Sequence, residues 1–358
     1  MTKHFEPIPF DVKNPSVRST REEWKPHARM SEKSFEWWYF TVLAHDICGN
    51  PYFIFSNITH RIGEAYQKMI GLEVADHQRA GSILGYVSDY KNNKVYPTQF
   101  NGVMNKEDLW RDKDNTAVCT TEEGHFEWSY GEEKMILSLQ SPQVSYNLAV
   151  TNIDEVLWHT DKHGIEGMIQ QGADDDFSFY YSLPRTPVTG TMTITDDNGQ
   201  QKDLTLSGIG WVDRQWGDFA TLTWEWSSFR FDNGARLHIY NFFNGHKEVV
   251  YMGSDGHIMQ IDDVIVRQKG YAKSPTVGTW VSWGWTYEFP IEIEGSKSFT
   301  VVPYSNEDFF EFPEFDYALY EGGCKLINDT TGEEVGVTVN ESADVRIMEN
   351  GPTGKNHM

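Results

Sequence analysis

Cysteine, basic residues and long apolar runs are all scarce in this chain. The three cysteines, Cys48, Cys119 and Cys324, lie far apart and form no CxxC pair, so they predict neither a disulfide framework nor a zinc site. No apolar run approaches the roughly 18 residues of a transmembrane helix. The opening MTKHFEPIPF lacks the apolar stretch of a secretory signal. These absences favour a cytoplasmic protein without a membrane-spanning segment.

Basic residues are outnumbered by acidic ones. The chain has 53 acidic and 30 basic side chains, which gives a net charge of -23. A surface with this charge repels nucleic acids and anionic membranes. We therefore expect neither of them as a partner.

Aromatic residues are abundant and point to β structure. There are 13 Trp, 17 Tyr and 21 Phe, a composition that suits large sheets around an apolar cavity. From Phe35 onward, short aromatic and β-branched runs alternate with turn sequences. Helical patterns are weak, with a helical turn or two conceivable only within residues 60–80. Antiparallel barrels or sandwiches are therefore predicted.

Turn sequences place one hairpin clearly. The strongest turns fall at residues 197–199, 232–234, 254–256 and 330–332, and the first two contain Asn-Gly, the strongest short hairpin signal. Residues 222–231 and 236–243 are thus predicted to pair across the second of these turns.

The length of the chain predicts two domains. With 358 residues, and about 320 of them in a β pattern, two barrels are favoured over one. Pro184 and Pro187 interrupt the pattern and suggest a boundary. We predict an all-β fold with an N-terminal arm, a first barrel domain and a second barrel domain, at residues 1–34, 35–185 and 186–358.

The most informative segment is GIGWVDRQWG at residues 208–217, where one carboxylate lies among tryptophans and glycines. A carboxyl group enclosed by indole rings is poorly solvated, which favours its neutral acid form. In an extended strand Trp211, Asp213 and Gln215 share one face, whereas Arg214 points to the other. Such an acid can protonate an apolar substrate, and the rings can stabilise the resulting cation. The alternative is that Asp213 caps a turn and the tryptophans fill the core.

Further aromatic residues could line the same pocket. Trp224 and Trp226 lie on one face of the predicted hairpin, with Glu225 on the other and Tyr240 on the partner strand. The two tryptophans would form a wall for an isoprenoid or a polyene. For this pair alone, ordinary core packing is slightly favoured.

Several acidic residues are candidates for a second acid. Glu36 begins the aromatic run EWWYF and either acts as an acid or pairs with an arginine, the second being favoured. Glu225 and Glu321 are candidates of similar weight. His159 and His163 lie in a turn-like sequence, which predicts no metal site. No P-loop, GxSxG or GxGxxG element is found, so we expect no cofactor.

Four motifs, in order, resemble the AttH and carotenoid 1,2-hydratase superfamily. EWWYFT at residues 36–41 resembles EWWYFTG, and YYSLPR at 180–185 with Thr-Gly at 189–190 resembles YYS-x-P-R…TG. GWVDRQWG at 210–217 resembles G-x-x-W-x-D-H-E-W-G, with Arg214 and Gln215 in place of His and Glu. YEG at 320–322 resembles YWEG.

The resemblance implies two lipocalin-like antiparallel β-barrel domains packed together, with a ligand pocket near their junction. It also implies that Asp213 is the proton donor to a terminal isoprenoid double bond and that Trp211 lines the pocket. The remaining predicted substrate-binding residues are Gln215, Trp224, Trp226, Tyr240, Trp38 and Tyr181.

Three functions follow from these observations. The leading hypothesis is a cofactor-independent lyase, isomerase or cyclase of terpenoid or other secondary metabolism. Asp213 would protonate a double bond or epoxide of an apolar isoprenoid or polyene-like substrate, and hydration, isomerisation or cyclisation would follow. The first alternative is a pericyclase of natural-product biosynthesis, in which the pocket folds a polyene and hydrogen bonds polarise a carbonyl. The second is a non-catalytic carrier of a hydrophobic small molecule.

Overall fold

The computed structural model describes residues 17–61, 74–75, 78–105, 108–152, 156–160, 165–171, 176–220, 223–313 and 317–343. Within these ranges strands dominate, and the one α-helix is α1 (Thr20–Glu23), capped by Ser19. The chain divides into two compact units, Met1–Ala220 and Thr221–Met358. Each is a curled antiparallel sheet, so the predicted all-β lipocalin-like class is confirmed. Most of residues 60–80, where helical turns were conceivable, lie outside the described ranges.

The described part of the first unit forms one 14-stranded antiparallel sheet. Its strands are β1 (Ser34–Asp46), β2 (Pro51–Arg61), β3 (Gln78–Asp89), β4 (Lys94–Pro97), β5 (Phe100–Asn105), β6 (Trp110–Arg111), β7 (Thr116–Thr120), β8 (His125–Ser129), β9 (Lys134–Gln140), β10 (Val144–Thr151), β11 (Leu157–Trp158), β12 (Met168–Gln170), β13 (Phe177–Thr195) and β14 (Gln201–Asp218). The order is β4-β3-β2-β1-β14-β13-β10-β9-β8-β7-β6, with β5 paired to β3 and with β11 and β12 paired to β13. The long strand β14 is therefore central, between β1 and β13.

The described part of the second unit forms a 10-stranded sheet and a two-stranded one. Its strands are β15 (Trp224–Phe231), β16 (Arg236–Phe242), β17 (Lys247–Met252), β18 (Ile258–Gln260), β19 (Ile265–Gln268), β20 (Tyr271–Lys273), β21 (Trp280–Ser282), β22 (Trp285–Ile293), β23 (Ser296–Pro303), β24 (Phe309–Phe312), β25 (Tyr317–Asn328) and β26 (Glu334–Ala343). The larger sheet has the order β18-β17-β16-β15-β26-β25-β23-β22-β19, with β24 paired to β25, and β20 pairs with β21. Strands β15 and β16 confirm the predicted hairpin, and Gly234 in its turn has a φ of 94°, a conformation that glycine adopts without steric cost.

The core of the first unit lies on one face of its sheet. Alternate residues of a strand point to opposite faces, and the core takes Trp38 and Phe40 from β1, and Val212 and Trp216 from β14. Residues 17–33, which we name the N-terminal strap, add Trp24 to this core, where its carbonyl accepts a hydrogen bond of 2.8 Å from the indole of Trp38. Burial of such aromatic side chains contributes about 1.5 to 3 kcal/mol each.

The predicted domain boundary at residues 185/186 is wrong. Strand β13 runs through it without a break, and the compact units divide between Ala220 and Thr221. The register shifts between Leu183 and Thr186, so Pro184 and Arg185 lie together opposite Trp211 of β14. Proline has no N–H for the strand ladder, and a bulge of this kind accommodates it. Pro184 therefore marks a bulge within a strand rather than a linker.

Candidate active site

Asp213 lies at the centre of the first sheet, on the face opposite the core. Its neighbours across the ladder are Tyr39 of β1 and Ser182 of β13. Asp213 is only 3% exposed. A buried carboxyl group without hydrogen bonds raises the free energy of the folded state. The hydrogen-bond partners of Asp213 are therefore expected among protein groups.

Three donors converge on the Asp213 carboxyl group. The Tyr180 hydroxyl donates to Oδ2 at 2.7 Å, the Ser182 hydroxyl donates to Oδ1 at 2.5 Å, and the Trp211 indole N–H donates to Oδ1 at 2.6 Å. The bond from Trp211 confirms the predicted strand alternation, because residues two apart in a strand share a face. Tyr180 and Ser182 reach the same face because they are also two apart, on the neighbouring strand β13.

A histidine extends this arrangement by one more hydrogen bond. His159, which follows the short strand β11, places Nε2 2.8 Å from the Ser182 hydroxyl oxygen, and its ring stacks on Tyr180 with centroids 3.9 Å apart. A serine hydroxyl carries one hydrogen. When Asp213 is ionised, Ser182 donates that hydrogen to the carboxylate, and the Ser182 oxygen then accepts from Nε2 of His159. His159 itself is fully buried.

Burial is the main influence on the ionisation of Asp213. Removal of the carboxyl group from water raises its pKa to about 6, although hydrogen bonds from Ser182 and Tyr180 act to lower it. A carboxyl group with this pKa exists as a mixture of acid and carboxylate near neutral pH. It can therefore both release and recover a proton, which is the requirement for general acid catalysis.

The neighbouring Arg214 points to the other face, as the sequence predicts. Its guanidinium lies over the ring of Trp38 at 3.8 Å and pairs with Glu36 at 2.5 Å. It also donates to the carbonyl groups of Glu23 and Lys25 in the strap at 3.1 and 3.0 Å. The positive charge of Arg214 is thus paired with Glu36 on the core side of the sheet, away from the Asp213 carboxyl group.

Glu36 is held as a carboxylate by this cation network. Burial by itself would raise its pKa, but Arg214 and hydrogen bonds with His27 and His60 lower it well below the ordinary range. Arg79 donates to the same carboxylate at 3.1 Å. The prediction that Glu36 pairs with an arginine is confirmed, and a carboxylate with a lowered pKa is a poor proton donor at neutral pH.

The predicted substrate-binding residues of the first unit divide between the two faces. Trp211 and Gln215 lie on the face of Asp213, where the Gln215 amide donates to Gln171 at 2.6 Å and to Ser178 at 2.7 Å. Trp38 and Tyr181, in contrast, belong to the core cluster. The period of two in a strand turns both of them to the face opposite Asp213, and their role in substrate binding stays a prediction.

The other predicted residues lie in the second unit. Trp224 and Tyr240 pack edge to face with centroids 5.8 Å apart, on the face of β15 and β16 that also carries Trp226. The opposite face carries Glu225, whose carboxyl group accepts from Gln268, Asn241 and Trp285 at 2.8, 2.8 and 3.1 Å. Burial raises the pKa of Glu225, although these hydrogen bonds act to lower it. Glu321 is fully buried in β25, opposite Glu341 of β26.

Tyr180, Ser182 and His159 are the residues that sequence reasoning missed. The spacing of Tyr180 and Ser182 by two was visible within the YYSLPR motif, but only the ladder register shows that Ser182 faces Asp213. From the sequence, His159 is a candidate only for metal binding. Its supposed partner His163 lies outside the described residues.

The two curled antiparallel sheets match the lipocalin-like fold. The sequence profile of the AttH-like family matches residues 22–336, and the chain belongs to the AttH-like family. No curated protein matches the sequence. In the described residues, no helix is long and apolar enough to cross a membrane.

Two solved structures share the fold. An AttH protein from Nitrosomonas europaea is 14% identical, with a TM-score of 0.69 over 95% of this chain and 99% of the other. Kievitone hydratase from Nectria haematococca is also 14% identical, with a TM-score of 0.64 over 96% of this chain and 98% of the other.

Proposed function

We propose that this protein is a hydratase-like enzyme that protonates a carbon–carbon double bond of an apolar, unsaturated small molecule, with Asp213 as the proton donor. The observation that carries the proposal is the Asp213 carboxyl group. It is buried, has a pKa raised to about 6 and is surrounded by three neutral donors. The family and the similarity to kievitone hydratase support the reaction class.

The geometry supports a simple acid-initiated mechanism. The acid form of Asp213 gives its proton to one alkene carbon, a C–H bond forms and the other carbon becomes cationic. The carboxylate left behind is stabilised by the donors from Tyr180, Ser182 and Trp211, which are already oriented toward it and need no reorganisation. The electron-rich face of an indole such as that of Trp211 attracts a cation. Addition of water to the cation then completes hydration.

A comparison of Asp213→Asn with the wild type tests this proposal. Asparagine keeps the shape of the side chain but carries no acidic proton. Kievitone, geranylgeraniol and squalene serve as probes, with product and ligand binding measured for both proteins. We expect the variant to bind the same probe but to lose about 100-fold or more in kcat, since a positioned acid contributes roughly 10²- to 10⁴-fold.

The control is Ser56→Ala, which removes one buried hydroxyl of the first unit, 2.5 Å from the Tyr146 hydroxyl. Unchanged turnover by Asp213→Asn would contradict acid catalysis and favour a pericyclase. Binding of the probes without product from either protein would favour a carrier.

A further inference from the structure

Two buried glutamines lie on the Asp213 face of the first sheet. Gln215 follows Asp213 by two residues in β14, so the two side chains share a face and their Cα atoms lie roughly 7 Å apart along the strand. Gln171 directly follows β12 and contacts Gln215. Both glutamines are buried, and removing an amide group from water is unfavourable unless the group is hydrogen-bonded. The partners of the two amides therefore show what this part of the site can hold.

Hydrogen bonds fix the orientation of the Gln171 amide. Its oxygen accepts from Gln215 Nε2 at 2.6 Å and from the Ser178 hydroxyl at 3.1 Å, and the same Gln215 nitrogen also donates to Ser178 at 2.7 Å. The reverse orientation would direct Gln171 Nε2 at these two donors and break both hydrogen bonds. The two bonds to the oxygen therefore hold Gln171 Nε2 in one position.

Gln171 Nε2 is a buried donor that has no acceptor among the residues that the structure describes. An amide nitrogen carries two hydrogens that it can donate, and a buried donor that is left unpaired raises the free energy of the folded state. Carbonyl and hydroxyl oxygens accept hydrogen bonds from such a donor. A molecule bound on the Asp213 face could pair with it through a single oxygen atom.

We propose that Gln171 Nε2 donates a hydrogen bond to a carbonyl or hydroxyl oxygen of the substrate while Asp213 protonates the substrate's double bond. This inference rests on the proposed function, because the position of the oxygen is defined relative to that double bond. The substrate is then an oxygenated unsaturated molecule rather than a hydrocarbon, with its oxygen on the Gln215 side of the double bond. Gln215 and Ser178 act through Gln171 as positioning residues.

The aromatic residues beside the glutamines suit the rest of such a substrate. Trp37 of β1 is opposite Gln215 in the ladder, and its ring packs edge to face on Phe35 and Phe219 with centroids 5.4 and 5.6 Å apart. All three aromatic residues are buried. Small-molecule sites are mostly apolar and contain a few polar groups that fix the orientation of the ligand. One amide donor beside aromatic rings therefore selects a ligand by the position of one oxygen atom.

A matched pair of probes tests the inference. Geranylacetone has a ketone at one end and a prenyl double bond at the other, and 2,6-dimethylundeca-2,6-diene is the same chain without the oxygen. Equilibrium dialysis with gas chromatography gives Kd of both probes for the wild type and for Gln171→Met, which removes the donor but keeps the length of the side chain. We expect the wild type to bind the ketone roughly 10- to 100-fold more tightly, since an unpaired buried donor weakens binding by about this factor. In Gln171→Met the two Kd values are expected to agree within about threefold, because a thioether donates no hydrogen bond.

The ratio of the two Kd values separates recognition of the oxygen from a structural role. A general disturbance of the site in Gln171→Met would weaken the binding of both probes equally and leave the wild-type ratio, and that result would overturn the inference. Gln140→Met changes an exposed glutamine of β9 and is expected to keep the wild-type ratio. Equal affinity of the wild type for the two probes, or binding of neither probe, would overturn the inference as well.

A second measurement needs only the wild-type protein. Proton–nitrogen NMR follows the side-chain amide signals of Gln171 while each probe is added. Geranylacetone is expected to move these proton signals downfield as the hydrogen bond forms, and the hydrocarbon is expected to leave them in place. The same response to both probes would contradict recognition of the oxygen. Neither measurement requires turnover, so failure of the proposed function is recognised separately, as retained activity of Asp213→Asn.

Discussion

Two adjacent residues, Asp213 and Arg214, have opposite electrostatic roles. Asp213 lies among neutral donors, and burial raises its pKa to about 6. Arg214 points to the core and pairs with Glu36, whose pKa is lowered. Strand alternation separates the two side chains, and this separation keeps the acid free of the nearest cation along the chain.

The raised pKa of Asp213 predicts how activity depends on pH. Because the acid form is the donor, kcat/KM of the wild type is expected to fall tenfold per pH unit above about pH 6, with the slope of a single proton. A pH–rate profile with a kievitone or isoprenoid probe measures this fall. A profile that stays flat to pH 9 would be incompatible with Asp213 as the acid.

Stability is expected to depend on pH through the same group. The folded pKa lies above the ordinary aspartate value of about 4, so the folded protein retains a proton that the unfolded chain has lost between these two pH values. The contribution of Asp213 to the free energy of unfolding is fully present below about pH 4 and is lost as the pH rises through about 6. Its size is roughly 3 kcal/mol. Denaturant unfolding at several pH values should show it in the wild type and not in Asp213→Asn.

Removal of the Tyr180 hydroxyl should shift the pH profile. This hydroxyl favours the carboxylate form, so Tyr180→Phe is expected to raise the pKa of Asp213 by about one unit and to extend activity to higher pH. Tyr146→Phe is the matched control, because that hydroxyl is bonded to Ser56. An unchanged profile in Tyr180→Phe would show that the hydroxyl does not influence the acid.

At the scale of elements, the sequence predicted single strands better than their pairing. The alternation in β14 and the β15–β16 hairpin follow from local patterns, and both are confirmed. The pairing of Glu36 with Arg214 joins residues far apart in sequence, so the sequence did not identify which arginine pairs with Glu36. The position of Ser182 opposite Asp213 likewise depends on the ladder register, which no local pattern fixes.

The N-terminal strap is expected to depend on Arg214. Arg214→Gln would remove the partner of a buried carboxylate and two hydrogen bonds to the strap, so we expect the free energy of unfolding to fall by about 3 to 5 kcal/mol. Denaturant titration measures this change. Arg111→Gln, which breaks an exposed ion pair with Glu127, should cost less than about 1 kcal/mol. Similar costs for the two variants would contradict the role of Arg214.

At the scale of the whole molecule, the sequence predicted two β units but misplaced their boundary. Prolines at positions 184 and 187 suggested a linker, although both lie in the long strand β13, where Pro184 is part of a bulge and Pro187 pairs with Ile209. The actual division, between Ala220 and Thr221, falls just after β14. Proline signals a missing backbone donor, and a strand bulge satisfies this condition as well as a linker does.

The large negative charge predicts a response of the whole protein to salt. A net charge of -23 destabilises the compact state through self-repulsion, which salt screens. We therefore expect Tm to rise when sodium chloride is added at low ionic strength, as measured by thermal unfolding. A fall in Tm would mean that attractive ion pairs dominate over repulsion.

The origin of the new hydrogen in the product tests the central claim most directly. Wild type and Asp213→Asn are incubated with the probe alkenes in deuterated water, and the product is analysed by mass spectrometry and deuterium NMR. Acid catalysis by Asp213 predicts one deuterium bound to carbon in the wild-type product and loss of that product in the variant. A product without carbon-bound deuterium, formed equally well by Asp213→Asn, would contradict the account.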